Sequence, residues 1–309
     1  MSKISFLGIV RLFAVILITL NIPRLRGATT EVKVEDILSS YLASIGDAKA
    51  RAVVKSRVVE GTTQFNVLTG GSGTATNGTA IIASEGRMSQ LMMKFASSNY
   101  QGERFICDGN RVSVAPATDA RTRSNFGQFV YIQDILLREG LLAGELTTAW
   151  PLLNLDERKP KLIYEGLKTF EGKQLYEIQY KPKKGQDVQI RLYFDPETYH
   201  HVRTVYTLAI QAQLVQGGGS SSPVPEFGGP LSQSASAEAS QSRQQQTRYS
   251  VEERFSDFKT VDGLTLPNHY AIHFTQELQT GRTTVLDWDT QATRIVENVT
   301  LDPRNFQIK

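Results

Sequence analysis

The stretch that decides the fold class is Val188-Gln189-Ile190-Arg191-Leu192-Tyr193-Phe194. Its apolar side chains recur at every second position, which is the period of a β-strand with one buried and one solvated face. Turn-like sequence follows it at once in Asp195-Pro196-Glu197-Thr198, and similar alternating segments lie before and after. The sequence therefore predicts a mainly β protein with an antiparallel sheet.

The other predicted strands share this alternation or a short apolar run bounded by turn residues. With Val188–Phe194 they are Arg57–Leu68, Thr79–Ala83, Met88–Phe95, Glu103–Cys107, Arg111–Val114, Leu162–Tyr164, Leu175–Lys181, Val202–Ile210, Tyr249–Phe258, His269–Phe274, Thr283–Thr290 and Thr293–Val299. Before them, an apolar stripe of period 3.6 from Val34 to Ile45 predicts one helix, which Gly46 ends.

Residues 217–246 interrupt the alternation, since Gly, Ser, Pro and Gln dominate them. Such a composition buries too little apolar surface to fold, so we interpret it as a disordered insertion between two strands. Strand-like segments of similar length flank it on both sides. We therefore predict that 29–309 is one domain with a continuous sheet, not two domains joined by a linker.

The first 28 residues have the order of a secretory signal peptide. Lys3 and Arg11 precede an uncharged apolar run, Leu12–Leu20, and small residues follow at Gly27 and Ala28. We predict a signal peptide over 1–28 and a periplasmic protein; the alternative is an uncleaved segment that tethers it to the inner membrane. A single cysteine among 309 residues excludes an internal disulfide framework.

The charge balance argues against a nucleic-acid partner. The chain has 34 basic and 31 acidic residues, and four of the basic ones with no acid lie in residues 1–28. The remaining body has a formal charge of −1, whereas a nucleic-acid-binding surface needs a basic excess.

Catalytic and metal-binding patterns are weak. His269 and His273 would lie about 13 Å apart on a strand, too far for one metal ion. Adjacent His200 and His201 would point to opposite faces on a strand, and at a turn we expect them to be solvated. The sequence thus predicts no metal and no cofactor. Asp287 and Asp289 share a strand face and leave open an envelope hydrolase as an alternative.

The informative residues are apolar. Met88, Met92 and Met93 crowd one short strand, and flexible thioethers suit a surface that adapts to variable apolar shapes. Residues 133–153 form a Leu-rich helical region that glycines and Pro151 divide into short pieces. Two interpretations remain open at this point: an ordinary core, or an apolar cavity between the sheet and short helices.

Five stretches resemble the outer-membrane lipoprotein-sorting proteins, the LolA-like periplasmic carriers. They are Ile37–Lys55, Phe105–Val112, Leu141–Leu146 with Trp150, Leu192–Tyr199 with Val202 and Arg203, and Phe258–Pro267. The resemblance implies a twisted, incomplete antiparallel β-barrel whose concave face is plugged by short helices. It further implies a cavity for acyl chains.

From this we predict a non-enzymatic carrier of lipoprotein or lipid acyl chains, a monomer, with an inner-membrane transporter and an outer-membrane receptor as exchange partners. Two glycines, Gly140 and Gly144, are the hinge candidates of a lid over 133–153. The predicted lining residues are Leu91, Met93, Phe95, Leu141, Leu142 and Trp150. A scaffold or signalling module that binds a protein partner with the same sheet is the first alternative.

Overall fold

The computed structural model describes residues 32–68, 75–117, 123–211 and 246–307. The predicted signal peptide lies outside the described residues, as does the predicted insertion except residue 246, which opens a strand. Within the described part the strands are β1 Ser56–Val67, β2 Thr76–Glu85, β3 Met88–Phe95, β4 Gly102–Cys107, β5 Val112–Pro116, β6 Lys161–Phe170, β7 Lys173–Lys181, β8 Gln189–Phe194, β9 His201–Gln211, β10 Gln246–Val261, β11 Leu264–Glu277 and β12 Thr283–Glu297.

These twelve described strands form one antiparallel sheet in the order β5-β4-β3-β2-β1-β12-β11-β10-β9-β8-β7-β6. The first strand pairs with the last, and the two ends of the sheet are β5 and β6, so the barrel is not closed. This confirms the predicted fold class: a mainly β, incomplete antiparallel barrel with few short helices.

Tight turns connect several strands as their sequences require. Glu171 and Gly172 between β6 and β7 both have positive φ, and so do Asp262 and Gly263 between β10 and β11. Two successive positive φ values are typical of the type I′ turn, whose twist matches that of paired strands.

Several strands are longer than predicted: β6 runs over Lys161–Phe170, not Leu162–Tyr164, and β11 over Leu264–Glu277, not His269–Phe274. One strand was also predicted in two pieces. Thr283–Thr290 and Thr293–Val299 are a single strand, β12, which pairs with β1 along most of its length. Gln291, between the two predicted pieces, is exposed, and the register with β1 shifts at Glu60 and Gly61 opposite this stretch. The loss of apolar alternation there therefore reflects solvent exposure and a β-bulge, not a turn.

The helix α1, Val34–Ile45, has the predicted bounds and buries Ile37, Leu38, Tyr41 and Ile45. A second helix, α2 Ala48–Val53, follows, and Asp47 caps it by accepting a hydrogen bond from the Ala50 amide. Gly46 lies between the helices because a Cβ there would approach the Gly263 oxygen to 2.6 Å.

Residues 123–158, hereafter the covering segment, connect β5 to β6 through short helical pieces. They comprise α3 Asn125–Ile132, α4 Ile135–Arg138, a 3₁₀ turn at Gly144–Leu146, another at Pro151–Leu153, and α5 Leu155–Arg158. A last 3₁₀ turn, Pro303–Phe306, follows the sheet. No helix among the described residues is long and apolar enough to cross a membrane.

Candidate functional site

The covering segment packs against the apolar inner face of the sheet. The ring of Phe126 lies 5.2 Å from that of Phe105 on β4 and 5.0 Å from that of Trp288 on β12. Further along the segment, Phe129 stacks on Tyr249 of β10. Aromatic side chains from three strands therefore meet one segment in a continuous apolar layer.

All six residues predicted to line a cavity are buried: Leu91, Met93, Phe95, Leu141, Leu142 and Trp150. Leu91 and Met93 lie directly opposite Phe105 and Glu103 of β4, and both of these contact the covering segment. The structure thus places the strand and segment residues in the same layer. Their role as ligand lining remains a prediction, because in this conformation their neighbours are other side chains.

Three buried glutamates fasten the covering segment to its surroundings. The first, Glu253 of β10, is completely buried, and its carboxylate accepts hydrogen bonds of 2.7 Å from the Ala143 amide, 2.6 Å from Tyr206 and 2.5 Å from Tyr270. Burial raises the pKa of this carboxyl above its ordinary value, although the hydrogen bonds oppose the shift.

The second, Glu145, belongs to the covering segment, and its buried side chain contacts residues outside the segment. Its carboxylate lies 2.8 Å from Nδ1 of His201 on β9 and accepts a 3.3 Å hydrogen bond from Tyr41 of α1. The Tyr41 hydroxyl in turn accepts a hydrogen bond of 2.7 Å from the indole N–H of Trp150. The Trp150 ring stacks on the His201 ring, with their centres 4.9 Å apart. This cluster therefore ties the segment to both α1 and the sheet.

The third, Glu103 of β4, holds the start of α3. One carboxylate oxygen accepts a hydrogen bond of 2.7 Å from the Ser124 amide, and the other accepts one of 2.6 Å from the Ser124 hydroxyl. The Tyr100 hydroxyl donates a third hydrogen bond, of 3.2 Å. Ser124 also caps α3 by accepting from the Gly127 amide. Burial again raises the pKa of the carboxyl. We call Glu103, Glu145 and Glu253 the anchoring glutamates.

Two glycines proposed as hinges occupy tight positions. Gly140 and Gly144 have φ of 72° and 49°, in the left-handed region. A Cβ on Gly140 would lie 2.1 Å from the Ala149 oxygen, and one on Gly144 would lie 2.8 Å from the Phe255 ring. Close packing therefore requires glycine at both positions; hinge motion remains a prediction.

A cavity of about 410 Å³ opens at the edge of the covering segment, and we call it the end cavity. Its volume falls in the range of small-molecule sites. None of the six predicted lining residues borders it. Its walls combine apolar and basic side chains and are formed by Ile45, Ala48, Arg51, Ala52, Val54, Lys55, Arg57, Gly86, Glu145, Thr148, Leu153, Asn154, Leu264 and Leu266.

Two other cavities are lined by mostly different residues. Lys55 also borders a cavity of about 460 Å³ beside residues 298–306, and a small one of about 70 Å³ lies between α3 and the ends of β9 and β10. Neither is lined by the anchoring glutamates or by the six predicted residues.

Each of the outer-face carboxylates Asp287 and Asp289 contacts a histidine of β11. Asp289 lies 2.9 Å from Nε2 of His269, whose Nδ1 contacts the Ser256 hydroxyl, and Asp287 lies 2.5 Å from Nδ1 of His273. The hydrogen bond to Asp287 raises the pKa of His273. Among the described residues, no three His, Cys, Asp or Glu side chains form a group that could hold a metal ion.

The structure corrects one expectation and shows residues that sequence reasoning missed. His201 is fully buried, not solvated, because a register irregularity at Tyr193 and Phe194 turns the start of β9 inward. The anchoring role of Glu253 was also missed. Its signal was present, since Val251, Glu253 and Phe255 occupy alternate positions of one strand and so share its buried face.

Comparisons with known proteins give similar folds only. No family model and no curated protein matches the sequence. A DUF1329 family protein from Desulfovibrio piger aligns at 12% identity over 89% of this chain and 97% of its own, with a TM-score of 0.37. An outer membrane lipoprotein-sorting protein domain from Vibrio parahaemolyticus aligns at 9% identity with the same coverages and a TM-score of 0.38.

A third solved structure, the lipoprotein LppX of Mycobacterium tuberculosis, aligns at 11% identity. The alignment covers 56% of this chain and 88% of that one, with a TM-score of 0.21.

Proposed function

We propose that the protein is a non-enzymatic carrier that binds an acyl chain between the inner face of the sheet and the covering segment. The observation that supports this most is the way that the apolar inner face is covered. Short helical pieces cover it, and three anchoring glutamates hold them at separate points. A cover of this construction can move without breaking the ladder of the sheet.

The apolar part of the exchange is nearly balanced, whereas the hydrogen bonds of the anchoring glutamates that break when the covering segment moves are an additional cost. Each CH₂ group that leaves water contributes about 0.8 kcal/mol, and moving the covering segment aside exposes apolar side chains at a comparable cost per area. An acyl chain that replaces those side chains against Leu91, Met93 and Phe95 offsets this cost. Binding therefore resembles a substitution of one apolar cover for another, and a bilayer or a second carrier can take the chain back.

The setting of this function is also a proposal. An exported carrier in the periplasm would receive its cargo from an inner-membrane transporter and deliver it to an outer-membrane receptor. Lipoprotein or lipid acyl chains are the cargo class, and the carrier would act as a monomer.

Titration with dansyl-labelled undecanoic acid tests the proposal. The protein purified without detergent should enhance and blue-shift the dansyl emission in a saturable way. Leu142→Glu should abolish this signal, because a charge would lie in the buried layer, while far-UV circular dichroism of the sheet stays unchanged. Lys94→Glu, an exposed change on β3, is the matched control and should bind normally. A wild-type protein without saturable enhancement would contradict the proposal.

A further inference from the structure

Basic residues outnumber acidic residues around the end cavity. Three cations, Arg51, Lys55 and Arg57, border it together with one carboxylate residue, Glu145. Arg57 pairs with Glu297 at 2.7 Å, and Glu145 is engaged by His201. Arg51 and Lys55 are the two cations of the wall that no carboxylate among the described residues pairs with, and their side-chain contacts are with other groups.

Those contacts are all with backbone carbonyls. Arg51 donates through Nη1 to the oxygens of Leu42 and Gly46, and Lys55 donates through Nζ to the Ala52 oxygen at 3.0 Å. Within the described residues neither cation has an ion-pair partner, and each retains N–H donors for a ligand.

Apolar walls lie beside these cations. Ile45, Leu264 and Leu266 are buried and border the same cavity. A ligand that satisfies both parts of the wall must combine an anionic group with an apolar chain, because a small inorganic anion would leave the apolar walls without a partner.

The cavity also meets the covering segment. Glu145 and Thr148 belong to the segment and border the cavity, and Arg57 donates through Nη1 to the Glu145 backbone oxygen. A headgroup at Lys55 would thus lie next to Glu145, at the edge of the layer that the segment covers.

We propose that the end cavity binds the anionic headgroup of an amphiphile, a carboxylate or a phosphate monoester, through Lys55 and Arg51. This inference rests on the proposed carrier function and deepens it, because it assigns the polar end of the cargo to a site and sets its charge. Neutral amphiphiles of the same length should bind more weakly.

Displacement of dansyl-undecanoate by three twelve-carbon compounds tests the site: dodecanoate, dodecyl phosphate and dodecanol. Dodecanoate or dodecyl phosphate should displace the probe at about fivefold lower concentration than dodecanol, the size expected for an accessible ion pair. The ratio between the two anions then distinguishes a carboxylate from a phosphate cargo.

Lys55→Glu should remove this advantage and leave dodecanol unaffected. Lys49→Glu is the matched control, since Lys49 is an exposed residue of α2 that does not border the cavity. Thermal unfolding of both variants should match wild type.

Two results would overturn the inference while the carrier function stands: equal displacement by dodecanol and dodecanoate, or unchanged dodecanoate affinity in Lys55→Glu. Absence of displacement by all three compounds, with no direct binding of the probe, would overturn the carrier function and this site with it.

Discussion

The wholly buried carboxylate of Glu253 on β10 accepts a 2.7 Å hydrogen bond from the backbone amide of Ala143 in the covering segment. The two residues are far apart in sequence, and the bond joins the sheet to the middle of its cover. Ala143 has a φ of 67°, a left-handed conformation that the carboxylate helps to fix.

Glu253→Ala should destabilise the protein strongly. The change leaves the donors of Ala143, Tyr206 and Tyr270 without their acceptor and opens a void, at a cost of about 3 kcal/mol or more. Urea unfolding measures it, with Glu252→Ala on the opposite strand face as the control. Similar decreases in the free energy of unfolding of the two variants would show that the buried contacts of Glu253 add no more stability than Glu252 does.

The same carboxylate predicts a pH dependence. Its pKa is raised above the ordinary 4.5, so the folded state binds the proton more tightly than the unfolded state. The associated stability is fully present below pH 4.5 and is lost as pH rises through the folded pKa.

Glu253→Gln removes this titration. Relative to the variant, wild type should therefore lose stability as the pH rises above 4.5, as measured by urea unfolding at several pH values. A stability difference between the two proteins that stays constant over this interval would contradict the assignment.

Alanine substitutions at Gly140 and Gly144 should destabilise the covering segment by different amounts. Gly140→Ala should cost most, since the new Cβ would meet a backbone oxygen at 2.1 Å, and Gly144→Ala should cost less, since it meets the end of the Phe255 ring. Gly86→Ala is the control, with a similar φ of 56° and nothing within 4 Å, and should cost about 1–2 kcal/mol from the backbone alone. Equal melting temperatures for the three variants would refute the packing argument.

Replacing residues 212–245 by a two-residue Asn-Gly turn should preserve chain binding. Gln211 and Gln246 are directly paired in the β9–β10 ladder, so a short hairpin turn can connect them without changing the register. Dansyl-undecanoate titration should give the wild-type affinity. If the shortened protein instead no longer binds a protein partner that the wild type binds, while its affinity for the probe is unchanged, the result supports the scaffold alternative. In that alternative the replaced residues serve as a binding tail.

Local sequence patterns predicted the strands well. The alternation of Leu91, Met93 and Phe95 identified β3 with its exact bounds, because a half-buried strand must repeat every second residue. The resemblance and the pattern together gave the open antiparallel barrel. Where strands face solvent on one side and lack apolar alternation, as in β12, the pattern fails.

The anchoring contacts could not be predicted in the same way. Glu145 and His201 are distant in sequence, and their 2.8 Å contact exists only once the covering segment lies against β9. A buried glutamate such as Glu253 is visible from its inward position, but its partner is not. The basic wall of the end cavity depends likewise on how α2 and the start of β1 border one cavity, which no local pattern records.

Photo-crosslinking with a diazirine-labelled fatty acid tests the central claim most directly, since it marks the residues that touch the bound chain. After irradiation and fragment mapping, label should appear on Leu91, Met93 or Phe95 of β3 and on Leu141, Leu142 or Trp150 of the covering segment, and excess unlabelled dodecanoate should compete it away. Label confined to outward residues such as Lys94 and His269, or label that no competitor reduces, would contradict the account.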